Sequence, residues 1–145
     1  MKLLTFNTGF LEIGLGPIHI DLVPKVKVRS EALPLAILEH DPDIVCLQEV
    51  YRKSDSDMLK RRVKMYPYIY KSPDENILKN TGLFIMSKYP FELLEELDFR
   101  ASGVEKMVAK GAVKIQLTGG PYNGLVVINV HFPYGGFGSD SQTRW

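Results

Sequence analysis

The sequence predicts an α/β fold of the α+β kind, a mixed and mainly antiparallel sheet with helices on one face. Three observations predict it. The elements run strand, helix, strand, helix and then several strands, an order that sets helices against a sheet. Ile44 to Leu47 and Phe84 to Met86 are apolar without alternation, as in strands covered on both faces. Ala112 to Leu117 and Leu125 to His131 flank the turn Gly119-Gly120-Pro121-Tyr122-Asn123-Gly124 and read as a hairpin.

At 145 residues the chain fits one domain, and 45% hydrophobic content fits a globular protein with a core. Eighteen basic and seventeen acidic residues leave a net charge of +1, which excludes a bulk field that draws nucleic acid. The single cysteine, Cys46, excludes an intrachain disulfide and lies inside an apolar run, as a buried thiol does. The opening MKLLTFNTGF lacks a long apolar segment and a small-residue cleavage site, and no run approaches membrane-spanning length. A cytoplasmic protein with no transmembrane segment is the expectation.

Lys2 to Phe6 reads as a short buried strand closed by Asn7, Thr8 and Gly9. The segment to about Val28, with Gly14, Gly16, Pro17 and Pro24, shows no sustained period and reads as a loop. Arg29 to His40 carries Leu33, Ala36, Ile37 and Leu38 at helical spacing, with Ser30 as N-cap and Pro34 in the first turn. After Asp41 to Val50, Ser54 or Asp55 caps a second helix to about Met65. Met58, Leu59 and Val63 form its apolar side, and its basic run faces water. Ile69 to Lys71 and Thr81 to Ser87 read as strands, Glu92 to Phe99 as an edge strand, and Arg100 to Lys110 as a loop.

Three apolar strands end in a polar side chain: Asn7, Glu49 and His131. In open α/β sheets ligands gather outside the carboxyl ends of strands, so aligned ends would bring an amide, a carboxylate and an imidazole to one rim. A carboxylate oxygen from Glu49, helped by Asn7 and waters, suits a hard cation such as Mg²⁺. His131 could hydrogen-bond a phosphoryl group or move a proton. Taken singly, each residue also has a plainer reading. Glu49 fits a carboxylate emerging into solvent, Asn7 a turn residue, and His131 a hydrogen-bonded structural histidine.

Leu4 to Gly9 (LTFNTG), Pro42 to Val50 (PDIVCLQEV), Thr81 to Pro90 (TGLFIMSKYP) and Val127 to Phe132 (VINVHF) resemble, in order, the opening motifs of the endonuclease/exonuclease/phosphatase superfamily. Its members are metal-dependent phosphoesterases of DNase I-like fold. The resemblance spans essentially the whole chain and implies the amino-terminal half of a four-layer α/β/β/α sandwich. It implies Glu49 as metal ligand, with Mg²⁺ or else Mn²⁺ or another divalent cation. It also implies Asn7 beside the metal or phosphate, and His131 on the scissile phosphate. Ser87, Lys88 and Pro90 match a motif that is mostly structural. The Tyr66-Pro67-Tyr68 break, the Lys110-Gly111-Ala112-Val113 stretch and the glycine-rich loop after His131 are most similar to neutral sphingomyelinases. A sphingomyelin-like phospholipid is therefore the favoured substrate, with nucleic acid as the alternative, and Lys110 and Tyr134 are further substrate-binding candidates. In that loop Tyr134 and Phe137 could touch a lipid interface, or be points on a surface loop.

Two departures stand against the pattern. Val130-His131-Phe132 stands where the family often has Thr-His-Leu. The later Gly-Asp-x-Asn and terminal Ser-Asp-His segments have no counterpart, since Ser139-Asp140 is followed by Ser141. Arg144 resembles the arginine that opens the next helix, so residues 1–145 are expected to be a partial domain whose carboxy-terminal half lies elsewhere. Each half is expected to supply one sheet. The fragment would then expose an uncovered apolar sheet face, self-associate through it, and be inactive alone or serve as an interaction module.

Overall fold

The unbroken apolar run at Ile44 becomes β4 (Ile44–Gln48), whose five residues are all buried. The computed structural model describes residues 1–10, 12–15, 18–21, 26–73, 79–99 and 109–132. Before β4 come β1 (Leu3–Asn7), β2 (Glu12–Leu15), β3 (Ile18–Asp21) and α1 (Val26–His40). After it come α2 (Lys53–Arg62), β5 (Tyr68–Lys71), β6 (Phe84–Ser87), β7 (Phe91–Phe99), β8 (Lys110–Leu117) and β9 (Val126–His131). One mixed sheet has the order β1-β4-β6-β5, in which β1 and β4 are parallel and the other pairs antiparallel. A second, antiparallel sheet has the order β7-β8-β9, with β7 at its edge as expected.

Alternation along β4 divides the core in two. Val45 and Leu47 join Phe84 and Met86 of β6 against Leu33 and Ile37 of α1 and Leu59 of α2. Ile44 and Cys46 join Ile85 against Val113, Ile115 and Leu117 of β8 and Val127 of β9. Each fully buried aliphatic side chain contributes about 1.5–3 kcal/mol relative to exposure, so both faces stabilise the sheet. Helices, first sheet and second sheet thus stack as three layers.

This layering corrects one expectation. The chain supplies both sheets itself, and β8 and β9, with Phe91 of β7, cover the face of β4 and β6 that was expected to lie bare. The large exposed apolar side chains sit elsewhere, among them Leu3 and Phe6 on β1, Leu93 and Leu97 on β7, and Ile128 on β9.

The segment read as a loop to Val28 contains the β2–β3 hairpin, paired from Glu12 with Asp21 to Leu15 with Ile18. Helix α1 begins at Val26, before the expected Arg29. The Arg29 guanidinium reaches the Thr8 and Gly9 carbonyls at 3.0 Å each and ties this first turn to the end of β1. Ser30 is therefore inside the helix, its hydroxyl donating to the Lys27 carbonyl at 2.8 Å, and is no N-cap. Pro34 falls in the helix interior, buried on the core side, where it removes one helical N–H. At α2 the N-cap is Arg52, and neither Ser54 nor Asp55 takes that place. Asp55 is buried and held by the Arg52 guanidinium through two contacts of 2.9 Å, so its carboxylate is engaged by a charged fork. Of the expected loop from Arg100, residues 100–108 lie outside the described residues, and Lys110 opens β8. Among the described residues no helix is long and apolar enough to cross a membrane.

Candidate active site

Because β1 and β4 run parallel with Asn7 beside Gln48, their carboxyl ends share one rim. Glu49, the first residue beyond β4, has φ 64°. A non-glycine residue held there costs about 1–3 kcal/mol and persists only where its surroundings impose it. Here they do. The Thr8 hydroxyl donates towards the Gln48 and Glu49 carbonyls at 2.9 and 3.1 Å, and the Val50 amide donates to the Gly82 carbonyl at 2.9 Å.

Asn7 is oriented from both ends. Its Oδ1 accepts the Gly9 amide at 3.0 Å, which leaves Nδ2 to donate to Glu49 Oε1 at 3.0 Å. From the second sheet, His131 Nε2 approaches the same Oε1 at 3.4 Å and Lys110 Nζ approaches it at 3.9 Å. Lys110 Nζ is also 2.8 Å from His131 Nε2 and 3.4 Å from the Tyr51 hydroxyl. With Nε2 bare, the ring accepts from the Lys110 ammonium and carries its proton on Nδ1, which faces the Thr81 carbonyl at 3.5 Å. A ring protonated on Nε2 points that proton at Glu49 instead.

The side-chain contact of His131 is the largest influence holding the Glu49 carboxyl below the usual range. The Asn7 hydrogen bond and the Lys110 charge add to it, against the opposing effect of burial. Burial, reinforced by the Glu49 charge, pushes the Tyr51 phenol far up, so it stays protonated beside Lys110. Tyr51 is seated by Gly82, at φ 68°, where a Cβ would stand 2.6 Å from the ring. Asn80 closes this corner, donating to the Tyr51 carbonyl at 3.0 Å and accepting the Gly82 amide at 2.8 Å.

The structure therefore brings Asn7, Glu49, His131 and Lys110 together, while Tyr134 lies outside the described residues. Ser87 and Lys88 lie away from them. The Ser87 hydroxyl accepts the Tyr89 amide, and Lys88 pairs with Asp41. Sequence reasoning missed Tyr51, which carries no local signal, and gave no role to Gln48 or Asn129. Asn129 had one, a lone amide within the apolar strand Val126–Val130, on the same face as His131.

Among the described residues no group of three or more His, Cys, Asp or Glu gathers as a metal site. The Glu49 carboxylate is the oxygen donor at this rim that would suit Mg²⁺, which usually keeps waters and takes one or two carboxylates plus phosphate oxygens. Asn7, His131 and Lys110 all meet the Glu49 carboxylate at Oε1.

The model of the Endonuclease/Exonuclease/phosphatase family matches residues 4–145. The chain belongs to that family. Comparison with curated proteins found no match. Among solved structures, sphingomyelinase C from Streptomyces griseocarneus is similar with a TM-score of 0.72 at 21% identity, over 98% of this chain and 52% of that one. A beta toxin variant from Staphylococcus aureus with bound magnesium ions has a TM-score of 0.67 at 22% identity, over 90% of this chain and 48% of that one. D. rerio TDP2 complexed with single strand DNA product has a TM-score of 0.55 at 19% identity, over 88% of this chain and 43% of that one. These likenesses show the DNase I-like fold of the endonuclease/exonuclease/phosphatase family, and the chain spans about half the length of each structure or less.

Proposed function

We propose that this family member contributes the Glu49 and His131 side of a Mg²⁺-dependent phosphodiesterase site, with a sphingomyelin-like phospholipid as favoured substrate. The observation that carries the reading is the meeting of Glu49, His131 and Asn7 at one strand-end rim. In this reading Glu49 holds the cation through its carboxylate, and Asn7 holds Glu49. A bound Mg²⁺ would offset charge developing on the phosphoryl group. His131 hydrogen-bonds a phosphoryl oxygen or moves a proton to or from it, and Lys110 adds fixed positive charge against the same oxygens.

The phospholipid substrate is supported by the likeness to sphingomyelinase C and by a net charge of +1, low for a DNA binder. A nuclease is the second reading, supported by the likeness to TDP2 bound to a single strand DNA product. We further propose that residues 1–145 are part of a larger domain, and that alone they are inactive. That rests on the share of each neighbour they span and on Glu49 being, among the described residues, the one carboxylate that meets His131 and Asn7. The reading keeps the cytoplasm as compartment, and finding the protein in culture medium instead of cell lysate would overturn it.

The test compares Mg²⁺-dependent hydrolysis of sphingomyelin and of DNA by this chain and by one extended through its downstream reading frame. Sphingomyelin hydrolysis by the extended chain, lost on Glu49→Ala, is expected. Preference for DNA would transfer the reading to a nuclease. Glu49-dependent activity in the 145-residue chain would overturn its inactivity. A reading frame that encodes neither Gly-Asp-x-Asn nor Ser-Asp-His would sink the larger enzyme.

A further inference from the structure

One rung below the rim, the exposed Thr5 and the buried Gln48 and Asn129 join the same three strands. Asn129, 2% exposed, donates from Nδ2 to the Leu47 carbonyl at 3.0 Å and the Phe84 carbonyl at 3.3 Å, capping the end of the β4–β6 ladder from the other sheet. Both of those acceptors are carbonyls, so Asn129 Oδ1 is left to accept, and Gln48 Nε2 donates to it at 2.6 Å. Gln48 Nε2 also donates to the Thr5 hydroxyl on β1 at 3.2 Å.

The placement matches the site strand by strand. Thr5 lies two residues before Asn7 and Asn129 two before His131, each pair on one face of its strand, and Gln48 immediately precedes Glu49. β1 and β4 are coupled by their ladder, but β9 belongs to the other sheet and shares no ladder with either. Apolar packing between sheets is non-directional and tolerates sliding, whereas an amide with three partners fixes one alignment.

We propose that Thr5, Gln48 and Asn129 are positioning residues that set the separation of His131 from Glu49 and Asn7 across the two sheets. They act through the rim residues and do not touch the substrate. One of the two readouts below rests on Glu49 as a cation ligand, and the other does not.

The test uses the 145-residue chain. Gln48→Met removes both donated hydrogen bonds at nearly constant volume, and Ile115→Ala weakens the same sheet-to-sheet packing without a polar change. Without metal, NMR signals of the Asn7 side-chain amide and the His131 ring are compared in the two variants. Gln48→Met is expected to move both sets, and Ile115→Ala to leave them. In a Mn²⁺ titration well below each melting temperature, Gln48→Met is expected to bind about 10- to 100-fold more weakly, and Ile115→Ala like the wild type. Gln48→Met tests the layer independently of Asn129, whose replacement exposes more unpaired backbone to the core. Unmoved signals in Gln48→Met, or the same movement in Ile115→Ala, overturn the proposal. If the wild type binds no Mn²⁺, or Glu49→Gln binds it equally, the cation reading fails, and the metal-free signals still decide the positioning layer.

Discussion

Glu49 combines two costs, a left-handed backbone and a partly buried charge, and its neighbours answer both. Thr8 ties down the turn, while His131, Asn7 and Lys110 stabilise the carboxylate. A carboxyl whose folded pKa lies below its ordinary 4.5 adds stability that is fully present above about pH 4.5 and is lost as the pH falls through the folded value. Glu49→Gln should therefore lower the melting temperature at pH 7 and show a narrowing gap to the wild type below pH 4.5. Thermal unfolding across pH checks this, and a gap independent of pH would remove the electrostatic account. Glu49 and His131 were legible as residues because a polar side chain at the end of an apolar strand stands out locally. The Lys110 to His131 contact was not, because 21 residues separate them and only the β8–β9 pairing, Gly111 beside His131, brings them together.

At the scale of elements, β4, β6 and the β8–β9 hairpin were legible because each carries its own period or turn. The β2–β3 hairpin was missed because its segment has no sustained apolar period and contains Gly14. The start of α1 was misplaced because Ser30 offers a cap locally, while the Arg29 contacts that anchor the earlier turn are made to residues about twenty positions away. The approach to β6 offers a test. Gly82 has φ 68° and lies under the Tyr51 ring, so Gly82→Ala meets both backbone strain and overlap. Urea unfolding should show a loss of about 2–4 kcal/mol, and a change within experimental error would mean that Tyr51 is free to move aside.

For the whole molecule, the second sheet removes the bare face expected on β4 and β6, yet apolar surface remains at the edges. Leu3 and Phe6 are 45% and 44% exposed on β1, beside a groove of about 400 Å³ lined by Leu4, Leu33 and Ala36. Among the described residues β1 pairs on one side only, an edge of the kind that recruits another chain. Sedimentation should show concentration-dependent self-association of the isolated chain, weakened by Phe6→Lys, and a monomer at high concentration would exclude it. The sequence by itself determined β4, β6, the β8–β9 hairpin and the polar residues at three strand ends, because periodicity and turn chemistry are local. Tertiary structure alone decided that both sheets come from this chain, that Lys110 reaches His131 and Glu49, and that Asn129 meets Gln48. Those contacts depend on how two sheets face each other, a matter of packing and hydrogen-bond satisfaction between strands far apart in the chain.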